Sequence, residues 1–146
     1  LVDDVIDRAA RERILMWVRQ SAMALGVSAS VAKGLVGAVF EIRQGYKSAD
    51  SKRQNADLRF GMRAWNDANL LPVIAIVSTQ ASDVVCKRYS DARLLVLRGH
   101  LRGNASTYAM FRDVVGYDLA AFFERNSPTI RKDFERTIRK LLDPSV

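Results

Sequence analysis

Glu41 and Arg43 stand two residues apart at the end of an apolar run. A dense polar segment follows, holding Lys47, Asp50, Lys52, Arg53, Gln54, Asn55, Asp57, Arg59 and Arg63. Carboxylate oxygens suit a hard cation such as Mg²⁺. A metal with a neighbouring cation stabilises the charge that builds on a phosphoryl group under attack. Such a set could hold a hard cation beside a fixed positive charge. From Glu41 to Arg63 there are six Lys or Arg against three Asp or Glu. A solvated helix needs charge, but it has no need of Gln and Asn among alternating acids and bases. The plainer reading makes Glu41 and Arg43 a surface pair on an edge strand, which contributes little. Arg53 and Asp57 would then be an ordinary i,i+4 helix pair.

The rest of the composition narrows the field. At 146 residues, about half of them apolar, the chain is read as one α/β domain covering 1–146, or as a piece of a longer protein, since it begins at Leu. The formal charge of +7 favours a polyanionic partner, nucleic acid before an acidic membrane. The single Cys86 excludes an intrachain disulfide and fits a reducing cytoplasm. The single His100 excludes a multi-histidine zinc site. No window reaches the ~18 apolar residues of a membrane span, so no membrane partner is expected. The N-terminus carries acids and no basic stretch, so no signal peptide is read there.

Hydrophobic spacing gives the elements that must position the polar segment. Residues 3–25 have apolar positions three and four apart, with Asp3, Asp4 and Asp7 at the start and Gly26 as a C-cap. Ser28 or Ser30 caps a short second helix running to about Gly37. Residues 39–44 alternate as a strand, which puts Glu41 and Arg43 on one face, and Gly45 ends it. A helix over 50–69 would bury Ala56, Phe60, Ala64 and Ala68 with Leu58, Met62 and Trp65, and expose Lys52, Arg59, Arg63 and Asn66. Residues 71–78 read as a strand buried on both faces. A short helix over 81–89 and a strand over 92–97 complete a β-α-β-α-β order. The C-terminal third reads as three helices, 105–115, 117–125 and 129–142. The last opens after Ser127-Pro128 and has a basic face of Arg131, Lys132, Arg136, Arg139 and Lys140. The expected fold is therefore a small, mostly parallel or mixed sheet of about three or four strands flanked by helices, with helical ends.

A strand carboxylate, a cation two residues on and a helix directly after resemble the third strand and following helix of the PD-(D/E)XK nuclease superfamily. The phrase Gln-Gly-Tyr-Lys-Ser-Ala-Asp-Ser-Lys-Arg-Gln-Asn-Ala-Asp, with Leu-Pro-Val downstream, is similar to type II restriction endonucleases of the ApaLI-like group, over about residues 39–118. The resemblance implies a Mg²⁺-dependent DNA endonuclease of the restriction type, or a degenerate relative of one. Glu41 would be a metal ligand, Arg43 would take the place of the family lysine, and Gln54 would be the polar helix residue. Lys47, in the following turn, is the alternative to Arg43 in that place. It further implies double-stranded DNA as partner and a homodimer, since cutting two strands takes two sites.

The chain departs from the pattern at two points. Arg43 stays protonated and cannot act as a general base, although it can stabilise charge. No acid precedes Glu41 on a strand; the nearest upstream is Glu12 in the first helix. The second ligand is then Glu12 or Asp7, or Asp50 or Asp57, or it is lost. Lys52, Arg53, Arg59 and Arg63 would follow the phosphate backbone, and Tyr46 would either stack on a base or pack on its neighbours. Without the chemistry, the same charges describe a nucleic-acid-binding or small α/β interaction module.

Overall fold

The computed structural model of the protein describes residues 7–46 and 51–142. Lys47 and Asp50 lie outside the described residues, as do Asp3 and Asp4. In chain order the elements are α1 (Arg8–Ala24), α2 (Ala29–Lys33), β1 (Gly37–Arg43), α3 (Ser51–Ala68), β2 (Leu70–Ile76), α4 (Asp83–Asp91), β3 (Leu95–Leu97), α5 (Thr107–Met110), a π-helical turn (Phe111–Val115) and α6 (Leu119–Leu142). The fold is α/β, as the hydrophobic pattern predicts, and its three-stranded sheet is parallel throughout, in the order β1-β2-β3.

Alternation along β2 divides the core. Leu71 and Val73 face one layer with Val18, Ala22, Ala32, Leu35 and Met110 from α1, α2, α5 and their connections. Ile74 and Ile76 face the other, with Val85, Cys86 and Tyr89 of α4 and Leu94 beyond it; Leu58 and Phe60 of α3 pack against that layer. A sheet covered on both faces needs no polar side to its central strand, which is why β2 is nearly all apolar. Pro72 sits in that strand although it has no N–H to donate. Pairing with β3 begins only at Val73, so Pro72 has a strand neighbour on the β1 side alone.

The ends of the helices follow their caps. Asp7 accepts a hydrogen bond from the Ala9 N–H at 2.9 Å and starts α1; Gly26, at φ 77°, ends it in the left-handed conformation that glycine adopts freely. The predicted second helix is shorter than expected, ending at Lys33, because β1 already begins at Gly37.

Two expectations are corrected. The 117–125 and 129–142 helices are one helix, α6, with Pro128 inside it. Pro128 cannot donate to the preceding turn, but Asn126 Nδ2 and Ser127 Oγ turn back to the carbonyls of Phe122 and Phe123, at 2.7 and 2.5 Å. On an exposed helix the remaining loss does not break the rod. The buried face of α3 also differs from the predicted one. It runs through Gln54, Asp57, Gly61 and Ala64, whereas Ala56, Met62 and Ala68 are exposed. Two polar residues are thus in phase with the core, a pattern that apolar spacing alone does not reveal.

Candidate phosphate-binding site at the carboxyl edge of the sheet

Parallel strands end together, so their carboxyl edge collects the loops that follow them. Here those are Gln44–Gly45–Tyr46 after β1, Ser78–Thr79–Gln80 after β2 and Arg98–Gly99–His100 after β3. In open α/β sheets this edge is where ligands bind. The backbone continues to pair past the strands: Val77 N–H to the Arg43 carbonyl at 2.9 Å, Ser78 N–H to Gln44 at 3.0 Å, and Tyr46 N–H to Gln80 at 2.7 Å. Two glycines allow this approach. A Cβ on Gly45 would lie 2.6 Å from Ser78 Oγ, and one on Gly99 would lie 2.5 Å from the Ser78 backbone. Thr107 Oγ1 and the Tyr108 hydroxyl donate to the Ile76 and Val77 carbonyls, so α5 buttresses the end of β2 from behind.

A cleft of about 680 Å³ opens on this edge, lined by Arg43, Gln44, Gly45, Tyr46, Arg53 and the Ser78–Gln80 turn, together with Ile42. At its floor Arg43 Nη2 meets two carboxylates, Asp57 Oδ1 at 2.6 Å and Glu41 Oε1 at 3.2 Å. Asp57 comes from α3 and is 2% exposed. Its second oxygen, Oδ2, accepts from the Tyr46 hydroxyl and, at 2.8 Å, from the Tyr89 hydroxyl of α4. The two tyrosine rings meet edge to face, 5.8 Å apart. Burial opposes the charge on Arg43, but the hydrogen bond and attraction of Asp57 outweigh it, so the guanidinium is held even more firmly protonated than usual. Burial, followed by hydrogen bonding to Asp57, pushes the Tyr46 hydroxyl up. Burial also pushes up Tyr89, with its bonds to Tyr46 and Asp57 adding to the shift.

The sequence-predicted residues therefore separate. Glu41, Arg43 and Asp57 converge. Glu41 remains partly exposed, and Arg43 Nε is buried without an acceptor among the described residues. Gln54 faces inward and accepts from Arg88 Nη1 at 2.6 Å, tying α3 to α4. Tyr46, at 5% exposure, does not present its ring for base stacking. Arg53 lines the cleft, and Lys52 is exposed beside it in the first turn of α3. Arg59 and Arg63 lie farther along α3, on a shallow groove with Val39 and Leu70 near the opposite edge of the sheet. Asp7 caps α1 and Glu12 pairs with Arg8, so each has its partner within α1 or at its start. Sequence reasoning missed Tyr89 and the Ser78–Gln80 turn. The turn carried a usable signal, three polar residues directly after the most apolar strand; Tyr89 carried none beyond its place on an amphipathic helix.

The cleft is lined by two arginines, Arg43 and Arg53, while Glu41 and Asp57 meet Arg43 outside its lining. Mg²⁺ is commonly held by one or two carboxylates together with waters and phosphate oxygens. Glu41 fits that role as a single, accessible ligand. Asp57 does not fit it, because it is 2% exposed and both of its oxygens already accept from Arg43 or the two tyrosines. No group of three His, Cys, Asp or Glu that could hold a metal occurs among the described residues. No helix among them is long and apolar enough to cross a membrane. Comparison of the chain with family models, curated proteins and solved structures found no match.

Proposed function

We propose that this chain is the nuclease domain of a Mg²⁺-dependent endonuclease of the restriction type, acting on double-stranded DNA. The observation that carries the reading is the meeting of Glu41 and Arg43 at the carboxyl edge of a parallel sheet, beside a polar cleft that opens onto a basic helix. A metal held at Glu41 would supply polarisation of the phosphoryl group and a more acidic water. The chain's own residues do the rest. Arg43 carries a fixed positive charge and spare donors, so it takes a non-bridging phosphate oxygen and balances charge developing there. Its part is not proton abstraction. Arg53 and Lys52 extend the positive surface from the cleft onto α3, and Arg59 and Arg63 continue it for the strand leaving the site. Cutting both strands takes two such sites, which a homodimer supplies by symmetry.

A second reading is a DNA-binding module without chemistry. The burial of Asp57 favours it, because it leaves one accessible carboxylate where paired acids would make a stronger cation site. Plasmid cleavage in Mg²⁺ or Mn²⁺ decides between them. The nuclease reading expects metal-dependent cutting that disappears in Glu41→Ala. Salt-sensitive DNA retention by both proteins without cutting selects the binding module, and cutting that survives the substitution removes Glu41 from the chemistry.

A further inference from the structure

We propose that Asp57, with the hydroxyls of Tyr46 and Tyr89, is the positioning group for Arg43, and that it sets phosphate affinity without touching phosphate. The inference rests on the cleft being the DNA site. Asp57 is 2% exposed, so a ligand in the cleft does not reach it. Its contacts come from three separate parts of the chain: Arg43 at the end of β1, Tyr46 in the turn after it, and Tyr89 on α4. Two of these, Arg43 and Tyr46, line the cleft; the third is fully buried behind them.

The division of labour is geometric. An arginine reaches its target on four rotatable bonds and loses entropy when it is fixed there. The 2.6 Å contact with Asp57 fixes the guanidinium before any ligand arrives, while the two tyrosine hydroxyls fix Asp57 by holding its other oxygen. The Tyr46 bond also ties down the Gly45–Tyr46 turn that forms the rim of the cleft. Glu41, the weaker and more exposed partner, is the one an incoming phosphate displaces from Arg43, and Asp57 is the one that stays.

The test uses the whole chain and a fluorescent DNA duplex. Asp57→Asn keeps the shape and removes the charge. It is expected to weaken duplex binding about tenfold and to flatten the slope of log affinity against log salt by about one, as for the loss of one phosphate contact. Arg43→Ala gives the same loss, and the double variant binds no more weakly than Arg43→Ala alone. A wild-type slope in Asp57→Asn, or fully additive losses in the double variant, overturns the proposal. Should Asp57→Asn fail to fold, Tyr89→Phe keeps the acid and its arginine but leaves Oδ2 with Tyr46 as its one tyrosine donor in place of two. It is expected to shift slope and affinity partway in the same direction, and an unchanged slope overturns the proposal. The side-chain NMR signals of Arg43 in the free protein give an independent reading. Slow guanidinium rotation in wild type that becomes fast in either variant supports positioning, and equal rotation in all three overturns it. Wild-type protein that retains no duplex at low salt overturns the cleft as a DNA site, and the NMR result then still decides whether Asp57 orders Arg43.

Discussion

At the scale of single residues, Asp57 is the only charged side chain that is buried among the described residues. It is surrounded by donors, and removing it would take the carboxylate from two buried hydroxyls and leave Arg43 with Glu41 alone. Asp57→Ala is expected to cost about 3–5 kcal/mol in urea unfolding, the range for breaking a buried ion pair. Tyr89→Phe, which removes one hydroxyl and keeps the ring, costs about 1 kcal/mol. The same cluster sets a pH dependence. Tyr46 and Tyr89 have raised pKa values in the folded protein, so the folded state keeps protons that the unfolded state loses above the ordinary tyrosine value of about 10. Their contribution to stability is complete below that value and is lost as the pH rises above it. Absorbance at 295 nm is expected to show two of the four tyrosines ionising late, together with unfolding. Early ionisation of all four would show that the cluster is open in solution.

At the scale of elements, α3 and α6 are opposites. α3 carries its polar residues into the core and is held there by Gln54, Asp57 and the close contact of Gly61 with Leu94. α6 buries no residue, and every position from 127 to 142 is exposed, including Ile130, Phe134 and Leu141. Its continuity across Pro128 depends on local geometry, not packing. Pro128→Ala restores a backbone donor and removes a ring clash worth about 3 kcal/mol in a helix interior. Helical circular dichroism is expected to increase, while the cooperative melting of the body stays where it was. A clear rise in the melting temperature of the body would mean that α6 beyond Pro128 packs on it. The sheet shows the same contrast. The apolar run of β2 announces a central strand, whereas β3 is only three residues long and is placed by the register with Val73–Ala75.

At the scale of the whole molecule, a charge of +7 acts as a field as well as a set of contacts. Arg43 and Arg53 lie at the carboxyl edge, while Arg59 and Arg63 lie along α3 toward the other edge. A helix of this length spans about 27 Å, enough to follow several phosphates but not to gather on one. With about four such contacts, raising salt from about 50 to 200 mM is expected to weaken duplex binding on the order of a hundredfold. Neutralising Arg59 and Arg63 together should lower the salt slope by nearly two and leave any cleavage chemistry at Glu41 in place. An unchanged slope would remove that part of α3 from the DNA path.

The sequence by itself determined the class of fold. Apolar spacing, caps and turn residues are local properties, and they were enough for the β-α-β-α-β order, for the burial of β2 and for the placing of Glu41 and Arg43 on one face. It also singled out the polar segment, because Gln and Asn among alternating charges exceed what a solvated helix needs. Tertiary structure alone decided which acid meets which base. Asp57 read as a possible metal ligand or half of an i,i+4 pair with Arg53; packing turned it inward to Arg43, Tyr46 and Tyr89 instead. Those partners are 14, 11 and 32 residues away. No local pattern encodes such distances. They follow from the crossing of α3 and α4 over one face of the sheet, which is fixed by the shape of the core.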